Sequence, residues 1–85
     1  MEIRFTKRSA RRHRVGRERA RQAMRNATKI VAGGSFEDGE PVYVLLGADD
    51  SGRLLEVGVT INDGRVLVVH VMDMRRRFRT MVGEE

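Results

Sequence analysis

The sequence predicts an α+β fold, in which a short N-terminal strand and two helices precede an antiparallel meander sheet of three to four strands and a basic C-terminal tail. Apolar residues recur with helical spacing near the N-terminus and alternate with a period of two beyond residue 28. The turn Asn62-Asp63-Gly64 separates two alternating runs and is typical of a β-hairpin. Helices followed by consecutive strands indicate a helical layer packed on one sheet. The length of 85 residues fits a single domain, 1–85, with a tail at residues 75–85.

The N-terminal region predicts one short strand and two helices. Ile3 and Phe5 alternate with polar residues, so both are expected to face inward. Thr6 is a suitable cap for a helix over residues 7–13, and Gly16 for a second helix over residues 17–26. The second helix is amphipathic, because an apolar arc lies beside a cationic stripe. The arc consists of Ala20, Ala23, Met24 and Ala27, and the stripe of Arg17, Arg21 and Arg25.

The rest of the chain predicts a sheet. Its strands are expected at residues 28–32, 42–47, 53–61 and 65–72, with exposed loops at residues 33–35 and 37–41. One face of the sheet is predicted to carry Leu55, Val57, Val59 and Ile61, and one face of the last strand Leu67, Val69 and Val71. The opposite face is expected to be a mixed polar surface of Tyr43, Arg53, Glu56, Thr60 and His70. The tail at residues 73–82 is expected to be a short helix or an extended arm.

The net charge of +5 is unevenly distributed. Residues 1–29 carry a net charge of +9, residues 30–74 of −6 and residues 75–85 of +2. Of the 17 basic residues 15 are arginine, whose planar donor group binds phosphate at two points and stacks on bases. Two basic ends around an acidic centre indicate nucleic acid or an acidic protein segment as a partner. A solvated arginine-rich surface is the alternative explanation.

The composition excludes several classes of function. The absence of cysteine excludes disulfides, thiolate-ligated zinc, iron–sulfur clusters and a cysteine nucleophile. The longest apolar runs are about four or five residues, which is too short to span a bilayer. No spacing of His, Asp and Glu is typical of a metal site, and residues 33–35 lack the lysine and the helix of a phosphate loop. We therefore expect a cytoplasmic protein that needs no cofactor, no metal and no membrane.

Several short motifs resemble the RelE/ParE-like toxins of bacterial toxin–antitoxin systems, and most closely the BrnT type. The motifs are IRF at residues 3–5, HRVG at 13–16, LGADDSGRLLEV at 46–57, VVHVM at 68–72 and RRRF at 75–78. A glycine, a short turn and Gly-Arg-Leu-Leu entering a strand are typical of that family. The similarity covers most of residues 3–79, and the order of the motifs is more specific than any one of them.

The resemblance implies a RelE-like fold and a small basic endoribonuclease that cuts free or ribosome-bound mRNA and inhibits translation. It also implies a cognate antitoxin protein that neutralises the toxin, in a homo- or hetero-oligomer. Where BrnT-like chains carry a Ser-Ala-Arg run at the end of the last meander strand, this sequence has His70-Val71-Met72, and its arginines begin at Arg75. That departure favours the alternative of a protein with the same fold that binds nucleic acid or an antitoxin without cleaving RNA.

Metal-independent RNA cleavage needs a base for the 2′-hydroxyl and donors for the phosphate. His70 is the candidate base, because its position before the arginine-rich tail favours the neutral imidazole. Arg53 and Arg75 are the candidate catalytic arginines. The candidate RNA-binding residues are Arg8, Arg12, Arg17, Arg21, Tyr43, Arg76, Arg77 and Arg79.

Each candidate also has a structural explanation. His70 fits an ordinary histidine on a sheet surface, and Arg53 fits a cross-strand partner of Glu56 or Asp50. His13 fits a partner for the dipole at the end of the first helix.

Two further functions stay open beside the ribonuclease. The first is a nucleic-acid-binding module whose N-terminal helices contact phosphates. The second is an interaction subunit whose exposed sheet edge pairs with an acidic, antitoxin-like partner.

Overall fold

The structure is a computed structural model that describes residues 2–11 and 15–83, so Arg12 and His13 lie outside the described residues. Its elements are β1 (Glu2–Phe5), α1 (Lys7–Arg11), α2 (Arg17–Arg25), β2 (Lys29–Ser35), β3 (Pro41–Ala48), β4 (Leu54–Asn62), β5 (Arg65–Asp73) and α3 (Arg76–Arg79). Short 3-10 turns lie at Glu37–Gly39, between β2 and β3, and at Thr80–Val82, after α3. The protein is therefore an α+β fold with short helices. Within the two described ranges, no helix has the length and apolar character needed to cross a bilayer.

All five strands form one mixed sheet in the order β1-β5-β4-β3-β2. Each of the pairs β2–β3, β3–β4 and β4–β5 is antiparallel, whereas β1 pairs parallel with β5. The sequence predicted an antiparallel sheet of three to four strands, and the N-terminal strand makes it five-stranded and mixed. A parallel pair needs a long connection between its two strands, and here the chain between β1 and β5 supplies it.

The helices begin at the residues that the sequence predicts as caps. The Thr6 hydroxyl accepts a hydrogen bond of 3.1 Å from the Ser9 backbone, and the Ser9 hydroxyl donates back to the Thr6 carbonyl at 2.9 Å. These two bonds cap α1. Gly16 is the N-cap of α2, and Ala20 and Ala23 are the buried residues of that helix. Because its buried side chains are small, α2 lies close to the sheet.

One side of the sheet, the α2 face, is covered by α2 and carries the buried side chains of Leu55 and Val57. Gly47 lies on this face, directly opposite Leu55. A Cβ atom at Gly47 would overlap the carbonyl oxygen of Ala23 and lie 2.9 Å from the Cα of Ala27. The backbone of α2 and the chain that follows it can approach β3 this closely only because residue 47 has no side chain.

The other side, the α3 face, is covered by the C-terminal segment. Its core consists of Val42, Val44, Leu46, Met74 and Phe78. Of the two conformations expected for the tail, a short helix rather than an extended arm is therefore present. Because the tail folds back over the sheet, the side chains that it covers lose contact with water.

The prediction of a mixed polar surface on this face is therefore wrong. Glu56 and Thr60 do lie on the α3 face, but both are buried. Tyr43 lies on the α2 face, because it pairs with Val59 of the α2-side core. The alternation of apolar and polar residues along the strands predicted two faces of the sheet. It did not show that a helix would cover each of them.

A β-bulge changes which side chains of β5 face each layer. The register shifts between Gly58, which pairs with His70, and Val59, which pairs with Val68. Val71 consequently joins the α2-side core, while Val69 packs against the α3-side core. Leu67 and Val69 therefore share the α3 face as predicted, but the prediction is wrong for Val71, because one extra residue in a bulge reverses the alternation beyond it.

Two connections test the predicted turns. Asp63 and Gly64 have φ angles of 52° and 75°, which confirms the hairpin turn between β4 and β5. Residues 33–35, predicted as a loop, instead belong to β2. Gly33 makes this possible, because a Cβ atom there would lie 2.6 Å from the Val44 side chain. A register shift between Ala32 and Ser35 accommodates the end of the strand.

We expect Gly47→Ala to destabilise the fold by about 2–3 kcal/mol, because the added methyl group forces α2 away from β3. Urea denaturation followed by circular dichroism measures the change. Gly16→Ser is the matched control, since a Cβ atom at Gly16 meets nothing within 4 Å and serine is a good N-cap. Equal stability of the two variants would contradict the close approach of α2.

Candidate functional site

A buried glutamate lies at the centre of the sheet. Glu56 is in β4, the middle strand, and its side chain is 0% exposed on the α3 face. An ionised carboxylate removed from water is very unfavourable unless charged and hydrogen-bonding partners compensate it. The residues that surround Glu56 therefore decide whether this position is tolerated.

Arg75 supplies most of this compensation. Its Nη2 donates to Oε1 of Glu56 at 2.7 Å, and its Nε lies 3.1 Å from both carboxylate oxygens. The Arg75 backbone N–H also donates to Oε2 at 2.9 Å. Arg75 is the N-cap of α3, so the same carboxylate fixes both the side chain and the direction in which the chain leaves β5.

His70 is the third member of this group. Its Nε2 lies 3.4 Å from Oε1 of Glu56, and its side chain is 30% exposed. The ring lies against Gly58, where a Cβ atom would overlap Nδ1 and Cε1 of the imidazole. The β-bulge and this glycine together bring His70 to the carboxylate. We call Glu56, His70 and Arg75 the central cluster.

The charges of the central cluster stabilise one another. Burial alone would raise the pKa of Glu56, but the hydrogen bonds and the charge of Arg75, with the charge of His70, outweigh it and lower the pKa. The hydrogen bonds to Glu56 in turn raise the pKa of Arg75. Glu56 and Arg75 are therefore both ionised at neutral pH. The Arg75 side chain remains 43% exposed, so its outer part faces water beside the imidazole.

A cationic segment continues from the cluster into α3. Arg75 and Arg77 place their guanidinium groups 5.3 and 4.7 Å from the centre of the Phe78 ring, within cation–π range. The Nε of Arg79 donates to the Met74 carbonyl at 2.9 Å. No acidic side chain of the described residues forms a salt bridge with Arg76, Arg77 or Arg79. These three residues therefore keep their positive charge available at the surface.

The structure brings His70 and Arg75 together but places Arg53 elsewhere. The Nε of Arg53 donates to Oδ1 of Asp73 at 2.7 Å, and this bond raises the pKa of Arg53. The partner is neither Glu56 nor Asp50, the two that the sequence suggested. Asp73 pairs with Leu55, a residue of the α2-side core, so this ion pair lies at the strand ends and outside the central cluster.

The candidate RNA-binding residues are divided between two regions. Arg76, Arg77 and Arg79 belong to α3, which begins directly after Arg75 of the central cluster. Arg17 and Arg21 belong to α2 and lie 5.6 and 5.1 Å from the centre of the Phe5 ring, and Arg8 belongs to α1. Tyr43 lies on the α2 face. The structure therefore separates the predicted residues across the sheet instead of gathering them in one groove, and Arg12 is not among the described residues.

A second buried carboxylate, Asp49, holds the turn between β3 and β4. It accepts hydrogen bonds from the Ser51 hydroxyl at 2.7 Å, from Arg19 at 2.7 Å and from the Arg53 backbone at 3.0 Å. These bonds, led by that from Ser51, hold the pKa of Asp49 well below its ordinary value although burial opposes them. Its role is to attach α2 to the turn.

Glu56 was predicted as part of a polar surface, and neither it nor Gly58 was among the predicted site residues. The signal was present, because a charged residue and a glycine interrupt one face of a strand whose other face is wholly apolar. Glycine inside a strand often marks a close approach of another group. Here that group is the His70 ring.

Neither a metal centre nor a known family accounts for the cluster. Over residues 2–11 and 15–83, no group of three or more His, Cys, Asp or Glu side chains is arranged to hold a metal ion. Comparison with models of known protein families gives no match, and comparison with curated proteins gives no significant match.

We expect Arg75→Gln to destabilise the protein by about 3 kcal/mol, because it leaves the fully buried Glu56 charge without compensation. Glu56→Gln is expected to cost less, about 1 kcal/mol, because Arg75 can turn its partly exposed side chain to water. Urea denaturation at neutral pH measures both. Arg76→Gln removes the same charge from an unpaired position and is the control. A loss for Arg76→Gln equal to that for Arg75→Gln would contradict the assignment.

Acid should weaken the fold through the same carboxylate. The pKa of Glu56 in the folded protein lies below its ordinary value of 4.5. Its contribution is therefore complete above that pH and is lost as the pH falls through the folded-state pKa. We expect Glu56→Gln to lose less stability than the natural protein between neutral pH and pH of about 3. Glu37→Gln, at an exposed acid, is the control and should follow the natural protein.

Proposed function

We propose that this protein is a metal-independent RNA endonuclease of the RelE-like toxin type, which acts on mRNA in the cytoplasm and inhibits translation. The observation that carries the proposal is the central cluster. A fully buried carboxylate holds a partly exposed imidazole and a partly exposed guanidinium side by side, and unpaired arginines of α3 adjoin them. This arrangement would provide a proton acceptor and phosphate donors next to one another.

The chemistry divides between the members of the cluster. His70 would act in its neutral form, and since its Nε2 is buried against Glu56, Nδ1 would take the proton of a ribose 2′-hydroxyl. The 2′-oxygen would then form a bond to the adjacent phosphorus. Arg75 would stabilise the negative charge that develops on the phosphoryl oxygens. The bond from phosphorus to the 5′-oxygen breaks, and that oxygen takes up a proton from solvent. Glu56 is a positioning residue, because it contacts His70 and Arg75 and is itself shielded from the substrate.

Other features support the toxin assignment. β1, the two helices and the antiparallel strands β3, β4 and β5 follow in the order that the resemblance to RelE-like toxins implies. The cluster also occupies three of the matching motifs, LGADDSGRLLEV, VVHVM and RRRF. The proposal includes an acidic antitoxin as the partner, because the basic surface of a toxin of this type would be neutralised by opposite charge.

One observation favours a second function, a module that binds RNA without cleaving it. Two nitrogen atoms of the Arg75 guanidinium, Nε and Nη2, already donate to Glu56. Stabilising a phosphate transition state would then depend on its remaining donors. A binding module needs only the positive charges of Arg76, Arg77 and Arg79, and its affinity would fall steeply as salt is added.

The deciding experiment incubates purified protein with labelled RNA in EDTA, both free and on translating ribosomes. The expected products carry a 2′,3′-cyclic phosphate and a 5′-hydroxyl. A single 2′-deoxynucleotide at the cleaved position should abolish cutting there, because it removes the nucleophile. Intact RNA in both settings would contradict the endonuclease, and salt-dependent binding without products would establish the second function.

Two variants test the cluster directly. We expect His70→Ala to slow cleavage by about 10²–10⁴-fold, the usual contribution of a general base. Gly58→Ala should also slow it, because the new methyl group displaces the His70 ring while leaving Glu56 and Arg75 intact. Arg53→Ala is the control, since Asp73 holds that arginine outside the cluster. Cleavage that survives in His70→Ala but is lost in Arg53→Ala would overturn these roles.

A further inference from the structure

An open apolar groove of about 560 Å³ runs along the α2 face of the sheet beside α2. Every strand contributes at least one side chain to its floor, and β3 and β4 contribute two each. These side chains include Ile3 of β1, Val66 of β5, Ile61 of β4, Tyr43 of β3 and Ile30 of β2. Met24, Arg21 and Arg25 of α2 form one wall, and the side away from α2 is open. The helical layer therefore covers only part of this face.

The exposed apolar side chains of the described chain concentrate here. Ile30 is 66% exposed and Ile61 is 53% exposed, and Tyr43 is the third exposed large apolar residue of this face. Met81 is the other exposed large apolar residue, and it belongs to the C-terminal segment that covers the opposite face. A cluster of exposed apolar side chains in a concave surface marks a binding site more often than scattered ones do.

The dimensions of the groove fit a helix. Five strands spaced about 4.8 Å apart give the floor a length of about 19 Å. A helix rises about 1.5 Å per residue, so about 13 residues would span it. Such a helix would pack beside α2 and complete the layer that α2 begins, as amphipathic helices do in grooves of this kind.

The charged side chains in the wall of the groove indicate which kind of partner can bind there. Arg21 and Arg25 lie along the groove, and none of the side chains that line it is acidic. Arg25 donates to Asp50 at 3.1 Å, but both side chains are well exposed and can share their charges with a partner. A second copy of this chain fits poorly, because α1, α2 and α3 all carry several basic residues. The two arginines therefore favour acidic residues from a different protein.

We propose that the groove binds an acidic amphipathic helix of about 13 residues from a partner protein, with its apolar face on the sheet and its acidic flank against Arg21 and Arg25. RNA is a poor occupant, because the apolar floor offers the Tyr43 hydroxyl as its one polar group and would leave base edges unpaired. The inference takes from the proposed function only the existence of an acidic partner. The groove and the central cluster lie on opposite faces, so a helix bound here leaves His70 and Arg75 uncovered.

The test uses the full-length protein and a designed peptide of about 14 residues. Leucines at i, i+3, i+4, i+7 and i+11 give the peptide an apolar face, glutamates flank it, and a side-chain link on the far face holds it helical. The control peptide replaces each glutamate with lysine. Fluorescence anisotropy should show saturable binding of the acidic peptide at least about tenfold tighter than that of the control, and tighter at low salt.

Matched variants locate the binding. We expect Ile30→Thr with Ile61→Thr to weaken peptide binding by about tenfold or more, since two apolar contacts are lost. Met81→Thr changes an equally exposed apolar residue outside the groove and should bind as the natural protein does. Thermal denaturation confirms that all variants are folded. RNA cleavage measured with the peptide bound is a separate readout, so the failure of one proposal leaves the other intact.

Several results would overturn the inference. Equal affinity for both peptides would contradict the proposed role of Arg21 and Arg25. The absence of saturable binding would contradict a helix as the occupant of the groove. If the two isoleucine substitutions leave the affinity for the peptide unchanged, the peptide binds outside the groove. Anionic phosphatidylglycerol vesicles and a single-stranded RNA are tested as competitors. If either binds through Ile30 and Ile61 while the acidic peptide does not, the groove serves a membrane or a nucleic acid instead.

Discussion

The fold depends on the pairing of one buried charge with its partner. Glu56 lies in the middle strand with a side chain that water does not reach, and Arg75 contacts it through both its side chain and its backbone. Because the carboxylate requires this partner, β5 must end where Arg75 reaches it. The tail must then fold over the α3 face, which brings Met74 and Phe78 onto β3. A short basic tail thus becomes the second layer of the fold.

The same pair explains how a small protein can hold an imidazole and a guanidinium at its surface. His70 reaches the carboxylate because a bulge turns its side chain to the α3 face and because Gly58 leaves room for the ring. Both devices belong to the strands, which are more rigid than loops. Side chains fixed in this way have few alternative positions, as preorganised sites require. The pairing of Glu56 with Arg75 gives the cluster its structural role, and the partly exposed His70 and Arg75 are the side chains to which we assign the proposed chemistry.

The two faces of the sheet differ in chemistry. The α3 face is polar at its centre, is closed by the tail and adjoins unpaired arginines. The groove on the α2 face has an apolar floor to which all five strands contribute, and α2 covers only part of that face. Arginines border both regions, but those of α2 adjoin an apolar groove and those of α3 adjoin the central cluster. The strong positive charge of the sequence therefore serves two surfaces, for which we propose an acidic helix and RNA.

The local structure could be predicted from the sequence alone. The caps at Thr6 and Gly16, the amphipathic α2 and the turn at Asp63 and Gly64 follow from contacts within a few residues, and the structure confirms them. Features that depend on residues far apart in the chain could be seen only in the packed fold. The parallel pairing of β1, the burial of Glu56 and the position of His70 arise from strands far apart in the chain and from one bulge. Alternation shows that two faces exist, but burial depends on what packs against each face, and that information is not local.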